Sequence, residues 1–331
     1  MGNESMWGRI LDFSQTGVKL RLEYRRLLIN QGERRVDTVP MGDIAVVILA
    51  HAQISVSLGA LQGLLKAGAA VVVCDQKSIP QGLLLPLTGH HLSARRTRLQ
   101  ALVPKPVLKR LWRQIVRKKI EFQAALLREL FQDDGGLRDL ANEVKSGDTD
   151  NREGQAAKRY WSGLFGETGF RRDYEGKDPI NAALNYGYGV LRAIVARATV
   201  ATGLCPCFGI FHHSKYDPFA LVEDLMELFR PTVDGCVYRL NAEKKLDGDL
   251  TPATKSAIIR QVTGRYHVDG FQETIFETTS KMAESLVRVY SREKTALTLP
   301  TTFPLGPVDM TEPVVRTTVG EPEGPPGEPP F

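Results

Sequence analysis

The first quarter of the chain alternates short apolar runs with polar breaks, a pattern that predicts β-strands. Four runs come first, and "NQG" indicates a tight turn between the third and the fourth: "WGRILDF", "VKLRLEY", "RLLIN" and "RRVDTVP". The runs "DIAVVILA" and "AAVVVCD" are continuously apolar and β-branched, as in buried strands. Between them "SVSLGALQGLLKAG" has helical spacing, and "GLLLPL" indicates a last short strand. We therefore predict a small β-rich domain over residues 6–87.

After a predicted linker at residues 88–94, the apolar positions recur at helical spacing. A long helix is predicted first, with an apolar stripe at Leu108, Leu111, Trp112, Ile115, Phe122 and Leu126. The predicted helices cover residues 105–132, the stretch after Asp150 or Asn151, residues 179–202 with Asp178 as cap, about 218–229, 251–263 and 272–291. The predicted fold class is α+β, a small N-terminal β-rich domain followed by a larger all-α domain over residues 95–299.

Composition changes this picture only at the ends of the chain. From Pro300 onward the chain holds nine of its nineteen prolines, so a disordered tail is predicted over residues 300–331. The N-terminus lacks a basic segment followed by an apolar one, and no run of 18 apolar residues occurs. The absence of such a run argues against a membrane partner. The four cysteines offer no disulfide framework, which favours a cytoplasmic protein.

Positive charge is concentrated in one stretch of the sequence. The formal net charge is +5, yet between Arg95 and Lys119 there are ten Lys or Arg and no Asp or Glu. Lys109, Arg113 and Arg117 recur every four residues, opposite the apolar stripe; we call these three the basic stripe of this helix. Such a stripe is either a solvated face or a set of phosphate contacts that bind DNA without reading its sequence. The DNA-binding candidates from charge are Arg95, Arg96, Lys109, Arg113 and Arg117.

Candidate chemistry lies in "HHSKYDPFALVEDLMELFRP". Asp224 and Glu227 are three residues apart on a predicted helix and share a face, but Glu223 and Glu227 pair equally well at four residues. His212 or His213 lies in the loop that precedes this helix. Carboxylate oxygens with one imidazole suit Mg²⁺ or Mn²⁺. Such an ion stabilises developing charge and positions the attacking hydroxyl in a phosphodiester transfer.

A second carboxylate has to come from elsewhere, and Glu153 is the candidate, at the start of its helix and followed by small residues. The alternative for the carboxylate pair is a solvated helix face, and Glu153 could simply favour the helix N-terminus. A zinc site at Cys205 and Cys207 is disfavoured because their one-residue spacer is shorter than usual. Buried, unreactive cysteines are the preferred interpretation.

Three ordered motifs resemble those of a known family: "EGQAAKRYWSGLF", "NAALNYGYGVL" and "GLCPCFGIFHHSKYDPFALVEDLMELFRP". They are similar to the E-G-x-x-A-x-x-Y-[WF], N-x-x-L-N-Y-G-Y and G-L-x-P-x-x-G-F-L-H … D-L-M-E-x-F-R-P stretches of the CRISPR-associated adaptation integrase, the universal Cas nuclease that inserts new spacers. The resemblance extends over about residues 6–295 and implies that the all-α domain is the catalytic one. The length and the "HH" form resemble the lineage associated with a single-protein RNA-guided effector.

The resemblance implies a role for each matching residue. Glu153, His212 and Glu227 would be catalytic residues that hold Mg²⁺ or Mn²⁺, with Asp224 as a secondary ligand and His213 as the alternative to His212. Glu223 then lies outside the site. Two positions depart from the family pattern, because Ile210-Phe211 precedes the histidine and Leu228 follows D-L-M-E. Tyr160 and Tyr188 are further candidates for contact with DNA, and Trp161 is expected in the core.

The resemblance also implies an activity and partners. We expect a metal-dependent DNA endonuclease and integrase that joins the 3′-hydroxyl of a short DNA duplex to a phosphodiester of a CRISPR array. Double-stranded and branched DNA would be substrates, and a homodimer would assemble with a small ferredoxin-like adaptation protein into a heterohexameric complex. Two alternatives remain, a helical metal-dependent DNA-repair nuclease and a non-enzymatic DNA-binding protein.

Overall fold

The structure, a computed structural model, describes residues 8–14, 17–75, 80–166, 170–173, 176 and 178–304. The strands are β1 Arg9–Phe13, β2 Lys19–Glu23, β3 Arg26–Gln31, β4 Arg34–Pro40, β5 Ile44–Leu49, β6 Ser55–Val56, β7 Ala70–Cys74, β8 Pro80–Leu84, β9 Arg265–Val268 and β10 Phe271–Thr274. The helices are α1 Leu58–Lys66, α2 Ser93–Ala101, α3 Lys105–Phe131, α4 Leu137–Glu143, α5 Arg152–Phe165, α6 Pro179–Ala201, α7 Ala220–Met226, α8 Arg230–Ala242, α9 Pro252–Val262 and α10 Ile275–Tyr290. A 3₁₀ turn, Glu227–Phe229, joins α7 to α8.

The N-terminal part consists of two four-stranded sheets. One has the order β1-β5-β7-β8, with only β8 antiparallel, and the other has the order β4-β3-β2-β6, with only β6 parallel to its neighbour. The predicted "NQG" turn joins β3 to β4, where Gly32 has φ of +60°, a conformation that favours glycine. The α+β class and the β-rich start of the chain are confirmed.

Strand β5 explains why its sequence is apolar at every position. Val46 and Ile48 face the core shared with the helices, whereas Ile44 and Val47 face a second core between the two sheets and α1. A strand that is covered on both sides has no solvent face for polar residues. The first sheet therefore joins the β-rich part to the helical part of the molecule.

Two polar contacts fix the helical part against the N-terminal part. The Tyr186 hydroxyl on α6 donates to Asp12 Oδ2 on β1 at 2.5 Å. The Arg197 Nε, three turns further along α6, donates to the Gly68 carbonyl at 2.8 Å. Helix α6 also packs against α7, α8, α9 and α10, so it is the central helix around which the other helices assemble.

The helical region departs from the sequence predictions at three places. The helix expected over about residues 218–229 ends earlier, at Met226. Pro231, just past its predicted end, lies in the first turn of α8, which was not predicted. Proline fits there because the first turn of a helix does not use its N–H groups. Helix α4 was also missed.

The third difference is a β-hairpin within the helical region. Strands β9 and β10 pair antiparallel around Asp269 and Gly270, whose φ values are +50° and +87°. Two successive positive φ values are typical of the tight hairpin turn that Asp-Gly favours. The hairpin takes up the first residues of the helix predicted over 272–291, so α10 begins at Ile275.

The predicted boundaries differ from the structure at both ends of the helical part. Helix α2 already begins at Ser93, within the predicted linker 88–94. Residues 300–304 of the predicted disordered tail are ordered, because Thr301 N bonds the His267 carbonyl at 2.8 Å and Phe303 packs 5.4 Å from the Phe122 ring. Residues 305–331 and residues 1–7 lie outside the described part of the chain. Across the described ranges, no helix has the length and apolarity needed to cross a membrane.

Candidate active site

Glu153 lies in the first turn of α5, which is held by two preceding side chains. Asp148 accepts hydrogen bonds from the backbone N–H of Arg152 and Glu153 at 2.8 and 3.0 Å, and Asn151 accepts from Gly154 N at 3.1 Å. A Cβ on Gly154 would come within 2.7 Å of the Asn151 amide group. The N-terminus of α5 is therefore held by hydrogen bonds and close packing, and this fixes the position of the Glu153 backbone.

Two glutamates from different helices meet at one lysine. The Lys119 Nζ of α3 lies 2.7 Å from Glu153 Oε1 and 2.6 Å from Glu227 Oε2. All three side chains are largely buried, with Lys119 only 12% exposed. Burial lowers the pKa of Lys119, but the charges of Glu227 and Glu153 outweigh it and raise that pKa above its ordinary value. The lysine is thus a cation shared by both carboxylates.

Arg230 holds the other side of Glu227. Its Nε lies 3.0 Å from Glu227 Oε1, and its terminal nitrogen lies 2.8 Å from Glu223. Burial opposes ionisation of Glu227, yet the charges of Arg230 and Lys119 lower its pKa to about 2. Glu223 also pairs with Arg192 at 2.5 Å, so it is an outer anchor for Arg230, in line with its exclusion from the ligand set.

Asp224 fixes the orientation of the His212 imidazole. It is fully buried, and Oδ2 accepts the backbone N–H of Ile210 and Phe211 at 2.5 and 2.8 Å. Oδ1 lies 2.5 Å from His212 Nδ1. The hydrogen bond to Asp224 raises the pKa of His212 against the effect of burial, and the charges of Glu227 and Glu153 add to it. With Nδ1 engaged, Nε2 is the nitrogen left for a ligand or substrate.

This geometry changes the expected role of Asp224 and separates the two histidines. A carboxylate whose oxygens are both committed to the loop is a positioning group, so its prediction as a secondary metal ligand is not supported by the arrangement. Both histidines are exposed, but Asp224 holds His212 through Nδ1 at 2.5 Å, and the charges of Glu227 and Glu153 help to raise the pKa of His212. Between the alternatives that the sequence left open, the structure therefore brings His212 to the carboxylates.

Aromatic packing against α3 supports the loop that carries Phe211 and His212, the histidine loop. Trp112 of α3 stacks on Phe211 with ring centroids 4.5 Å apart and an interplanar angle of 3°. The His212 ring is nearly perpendicular to the same indole, with ring centroids 5.6 Å apart. Trp112 and Lys119 are two turns apart on one face of α3, so a single helix carries both the loop support and the shared cation.

Tyr160 and Tyr188 are core residues, which corrects their prediction as DNA contacts. Tyr160 is fully buried and its hydroxyl donates to Asp234 Oδ2 at 2.8 Å, while the Tyr188 hydroxyl donates to Oδ1 of the same carboxylate. Burial raises the pKa of Asp234 to about 6, even though both tyrosine hydrogen bonds lower it. The Tyr188 ring lies 4.6 Å from the Arg230 guanidinium. These tyrosines therefore support Arg230 from inside the protein.

The basic candidates differ in how far they are free to meet DNA. Arg95 and all three residues of the α3 basic stripe are exposed. Arg117 donates to Asn142 of α4 at 3.1 Å, and Arg96 donates to the Thr202 carbonyl, so these two also connect parts of the fold. The stripe is exposed, on the side of α3 opposite the centre of its apolar face.

The donor set of this site fits Mg²⁺ or Mn²⁺ in its chemistry. Two carboxylates already share one cation, and an oriented imidazole has a ring nitrogen left over. Within the described residues, no three His, Cys, Asp or Glu side chains are already gathered as a metal site. The Lys119 ammonium lies between the two glutamates, so it would have to move for both to hold one ion.

Lys119 and Arg230 belong to the site, but the sequence did not lead us to predict either of them as a site residue. Lys119 was counted only within the basic stretch, although it interrupts the apolar stripe between Ile115 and Phe122. A lysine at a buried position needs a charge partner, and this was the available signal. Arg230 follows the acidic segment directly and gave no signal of its own beyond its place in "LFRP".

Comparison with solved structures identifies the fold. A casposase bound to integration product matches with a TM-score of 0.70 at 19% identity, over 94% of this chain and 95% of that chain. A Cas6-RT-Cas1–Cas2 complex matches with a TM-score of 0.71 at 17% identity, over 89% of this chain and 36% of that longer chain. The molecule thus has the fold of the Cas1-like proteins, in which a β-rich part precedes a larger helical part.

Sequence comparison then gives the family. The family model for CRISPR associated protein Cas1 matches residues 13–272, and the chain belongs to this family. The CRISPR-associated endonuclease Cas1 of Neisseria meningitidis is 39% identical over 295 residues, which cover 88% of this chain and 95% of that protein. The family resemblance read from the three motifs is confirmed, and the effector lineage stays a prediction.

Proposed function

We propose that the protein is a metal-dependent DNA endonuclease and integrase that inserts short DNA duplexes into a CRISPR array. The observation that carries this proposal is that Glu153 and Glu227, from separate segments, meet at Lys119, while Asp224, three residues before Glu227, holds His212. The two carboxylates meet at one cation, and the imidazole is held by a buried carboxylate. A solvated helix face would not bury these charges or orient a histidine.

The relatives support the same activity. The Neisseria relative is named an endonuclease, and the casposase of the same fold is bound to an integration product. Hydrolysis and integration both break a phosphodiester, with water or a DNA 3′-hydroxyl as the attacking group. In integration, the 3′-oxygen forms a new bond to phosphorus, the bond to the array's own 3′-oxygen breaks, and the proton of the attacking hydroxyl passes to solvent while the leaving oxygen gains one.

Each site residue has a distinct role in this proposal. Glu153, Glu227 and His212 Nε2 would hold Mg²⁺ or Mn²⁺, which supplies charge stabilisation at the phosphate and orients the attacking hydroxyl. Asp224 keeps the imidazole in the orientation and tautomer that leaves Nε2 available. Arg230 keeps the Glu227 carboxylate ionised and in place.

DNA and protein partners belong to the proposal as well. Arg95 and the α3 basic stripe supply exposed positive charge for duplex or branched DNA. One solved relative by fold is part of a Cas6-RT-Cas1–Cas2 complex. We infer for this chain a homodimer that assembles with a small ferredoxin-like adaptation protein into a heterohexamer.

A plasmid integration assay tests the function. A 3′-hydroxyl DNA duplex, the small partner protein, Mn²⁺ and a repeat-bearing plasmid are combined with wild type, His212→Ala, Glu227→Ala or His213→Ala. We expect strand transfer with wild type and with His213→Ala, and loss of at least about a hundredfold with the other two. His213→Ala is the matched control, since it removes the neighbouring imidazole and leaves the Asp224 contact intact.

Three other results would point elsewhere. Metal-dependent cutting without strand transfer favours a DNA-repair nuclease. Salt-sensitive DNA binding with no turnover in any metal favours a non-enzymatic DNA-binding protein. Full activity of His212→Ala and Glu227→Ala, with circular dichroism showing intact folds, would refute the site assignment itself.

A further inference from the structure

Lys119 occupies a position where a charged residue is costly. It lies on the face of α3 that carries the buried residues Ile115, Val116, Phe122 and Gln123, and its side chain is 12% exposed. A buried ammonium is tolerated only with close partners, because its desolvation cost is several kcal/mol. Lys119 has two, and both are the glutamates proposed to hold the metal.

The two carboxylates are in turn stabilised by the positive charge of the lysine. Without a cation between them, Glu153 and Glu227 would be two like charges facing each other in a largely buried site, where repulsion is poorly screened. Arg230 balances Glu227 on its far side only, through Oε1, while Lys119 contacts Oε2. The ammonium therefore lies where a divalent ion bound by both glutamates would lie.

We propose that Lys119 is a positioning residue that fills the cation position of the metal-free protein and gives it up when a divalent ion binds. This inference rests on the proposed function, because it assumes that Glu153 and Glu227 are the metal ligands. Loading is then an exchange in which two ion pairs to the ammonium break as the carboxylates close on the incoming ion. The lysine keeps the empty site assembled, and its displacement weakens the apparent affinity for metal.

The fold favours movement of the side chain rather than of the helix. Two turns before Lys119, Trp112 is buried and stacked on Phe211, which fixes α3 against the histidine loop. The four-carbon stem of lysine is flexible, and the remaining exposure of the side chain provides a route toward solvent. The exchange can therefore proceed without disturbing the orientation of His212.

The test is Mn²⁺ binding by calorimetry, with thermal unfolding with and without Mn²⁺, on wild type, Lys119→Met, Lys119→Arg and Lys118→Met. Lys118→Met is the matched control, because Lys118 is the adjacent lysine on α3, is similarly buried, and pairs with Glu121 at 2.6 Å outside the site. For Lys119→Met we expect a metal-free Tm about 5 °C or more below wild type. We also expect its dissociation constant for Mn²⁺ to be at least about tenfold lower than that of wild type.

The other variants give opposite or neutral expectations. Lys119→Arg should restore the metal-free Tm and leave Mn²⁺ binding no tighter than in wild type, because the cation is retained. Lys118→Met should resemble wild type in both measurements. Equal or weaker Mn²⁺ binding by Lys119→Met would overturn the proposal, since a purely structural lysine would not oppose the metal.

Glu227→Gln separates this inference from the proposed function. If wild type binds Mn²⁺ and Glu227→Gln does not, the metal site stands and the Lys119 variants test the exchange alone. If Glu227→Gln binds as tightly as wild type, the ligand assignment is wrong and the exchange falls with it.

A measurement on wild type covers the case in which Lys119→Met does not fold. Lysine acetylation by acetic anhydride, read by mass spectrometry, should rise at Lys119 when Mn²⁺ is added, because the ammonium leaves its two carboxylates. Labelling of Lys118 should stay constant. Unchanged labelling of Lys119 under saturating Mn²⁺ would refute the exchange.

Discussion

Asp224→Asn is the sharpest test of how the histidine is positioned. The substitution keeps the size of the side chain but replaces one acceptor oxygen with an NH₂ group and removes the charge. Asp224 now accepts from Ile210 N, Phe211 N and His212 Nδ1 at 2.5, 2.8 and 2.5 Å. In the variant, the NH₂ group must face either the two backbone donors, which cannot accept from it, or the imidazole, whose Nδ1 accepts only if the ring proton moves to Nε2, the nitrogen otherwise left for a ligand.

The expected cost follows from these contacts. Hydrogen bonds to a charged group contribute about 1.5–3 kcal/mol each, and an unmatched buried donor costs a further 1–3 kcal/mol. Because the backbone bonds keep one amide oxygen, we expect Asp224→Asn to lower the free energy of unfolding by about 2–4 kcal/mol. Loss of the imidazole orientation should also weaken Mn²⁺ binding or integration by roughly 10–100-fold, as for other groups that orient metal ligands.

Urea unfolding of the metal-free protein, together with Mn²⁺ calorimetry, checks both numbers. Asp217→Asn is the control, since Asp217 lies in the same segment and accepts one backbone bond, from Phe219 N at 2.8 Å. It should cost no more than about 1 kcal/mol and leave Mn²⁺ binding unchanged. If Asp224→Asn kept wild-type stability but lost the metal, Asp224 would be a ligand rather than a positioning group, and the reasoning would be refuted.

Three further outcomes follow from charge, burial and packing. Replacing each residue of the α3 basic stripe with Gln should lower the slope of log K for DNA against log salt by about 1, measured by fluorescence anisotropy; unchanged slopes would place the DNA elsewhere. Asp234 has a pKa raised from 3.8 to about 6 in the folded protein. Its protonated form is therefore favoured by folding, so the stability it contributes is present below about pH 4 and is lost as the pH rises through about 6. Asp234→Asn, which cannot ionise, should gain up to about 3 kcal/mol relative to wild type between about pH 4 and 7.5 in urea unfolding, and a constant difference would contradict this. Phe303→Ala should cost about 2–4 kcal/mol through the lost contact with Phe122, and a loss under about 0.5 kcal/mol would mean that residues 300–304 are not docked.

Local patterns in the sequence predicted the elements whose signals are local. The strand β5 is apolar because it is buried on both faces, and α6 begins where Asp178 and Pro179 indicate. The hairpin at Asp269 and Gly270 had an equally local signal in its Asp-Gly turn, which a helical reading of its surroundings overrode. Helix α8 was not predicted although it has Pro231 in its first turn, because proline is found both after the end of a helix and at its start, and only the following residues distinguish the two uses.

Residue chemistry and spacing predicted the candidate residues of the site but not the contacts between them. Spacing put Asp224 and Glu227 on one face, and the resemblance favoured Glu227, but neither indicated that the Asp224 oxygens are used by Ile210, Phe211 and His212. That role depends on how the loop returns over α7, which is a property of tertiary structure. The choice of His212 over His213 likewise follows from the position of a buried carboxylate.

The charge balance explains why such a site is stable before it is used. Glu153, Glu227 and the buried Asp224 bring three carboxylates into a small region, and Lys119 and Arg230 are the cations that pair with the two glutamates. A divalent ion that binds both glutamates adds positive charge beside the two cations that already pair with them. A protein cation therefore has to move, or an anion such as a DNA phosphate has to arrive with the metal. Lys119 is the cation proposed to move, since its ion pairs are with the two carboxylates proposed as ligands, whereas Arg230 is also held by Glu223 and by the Tyr188 ring.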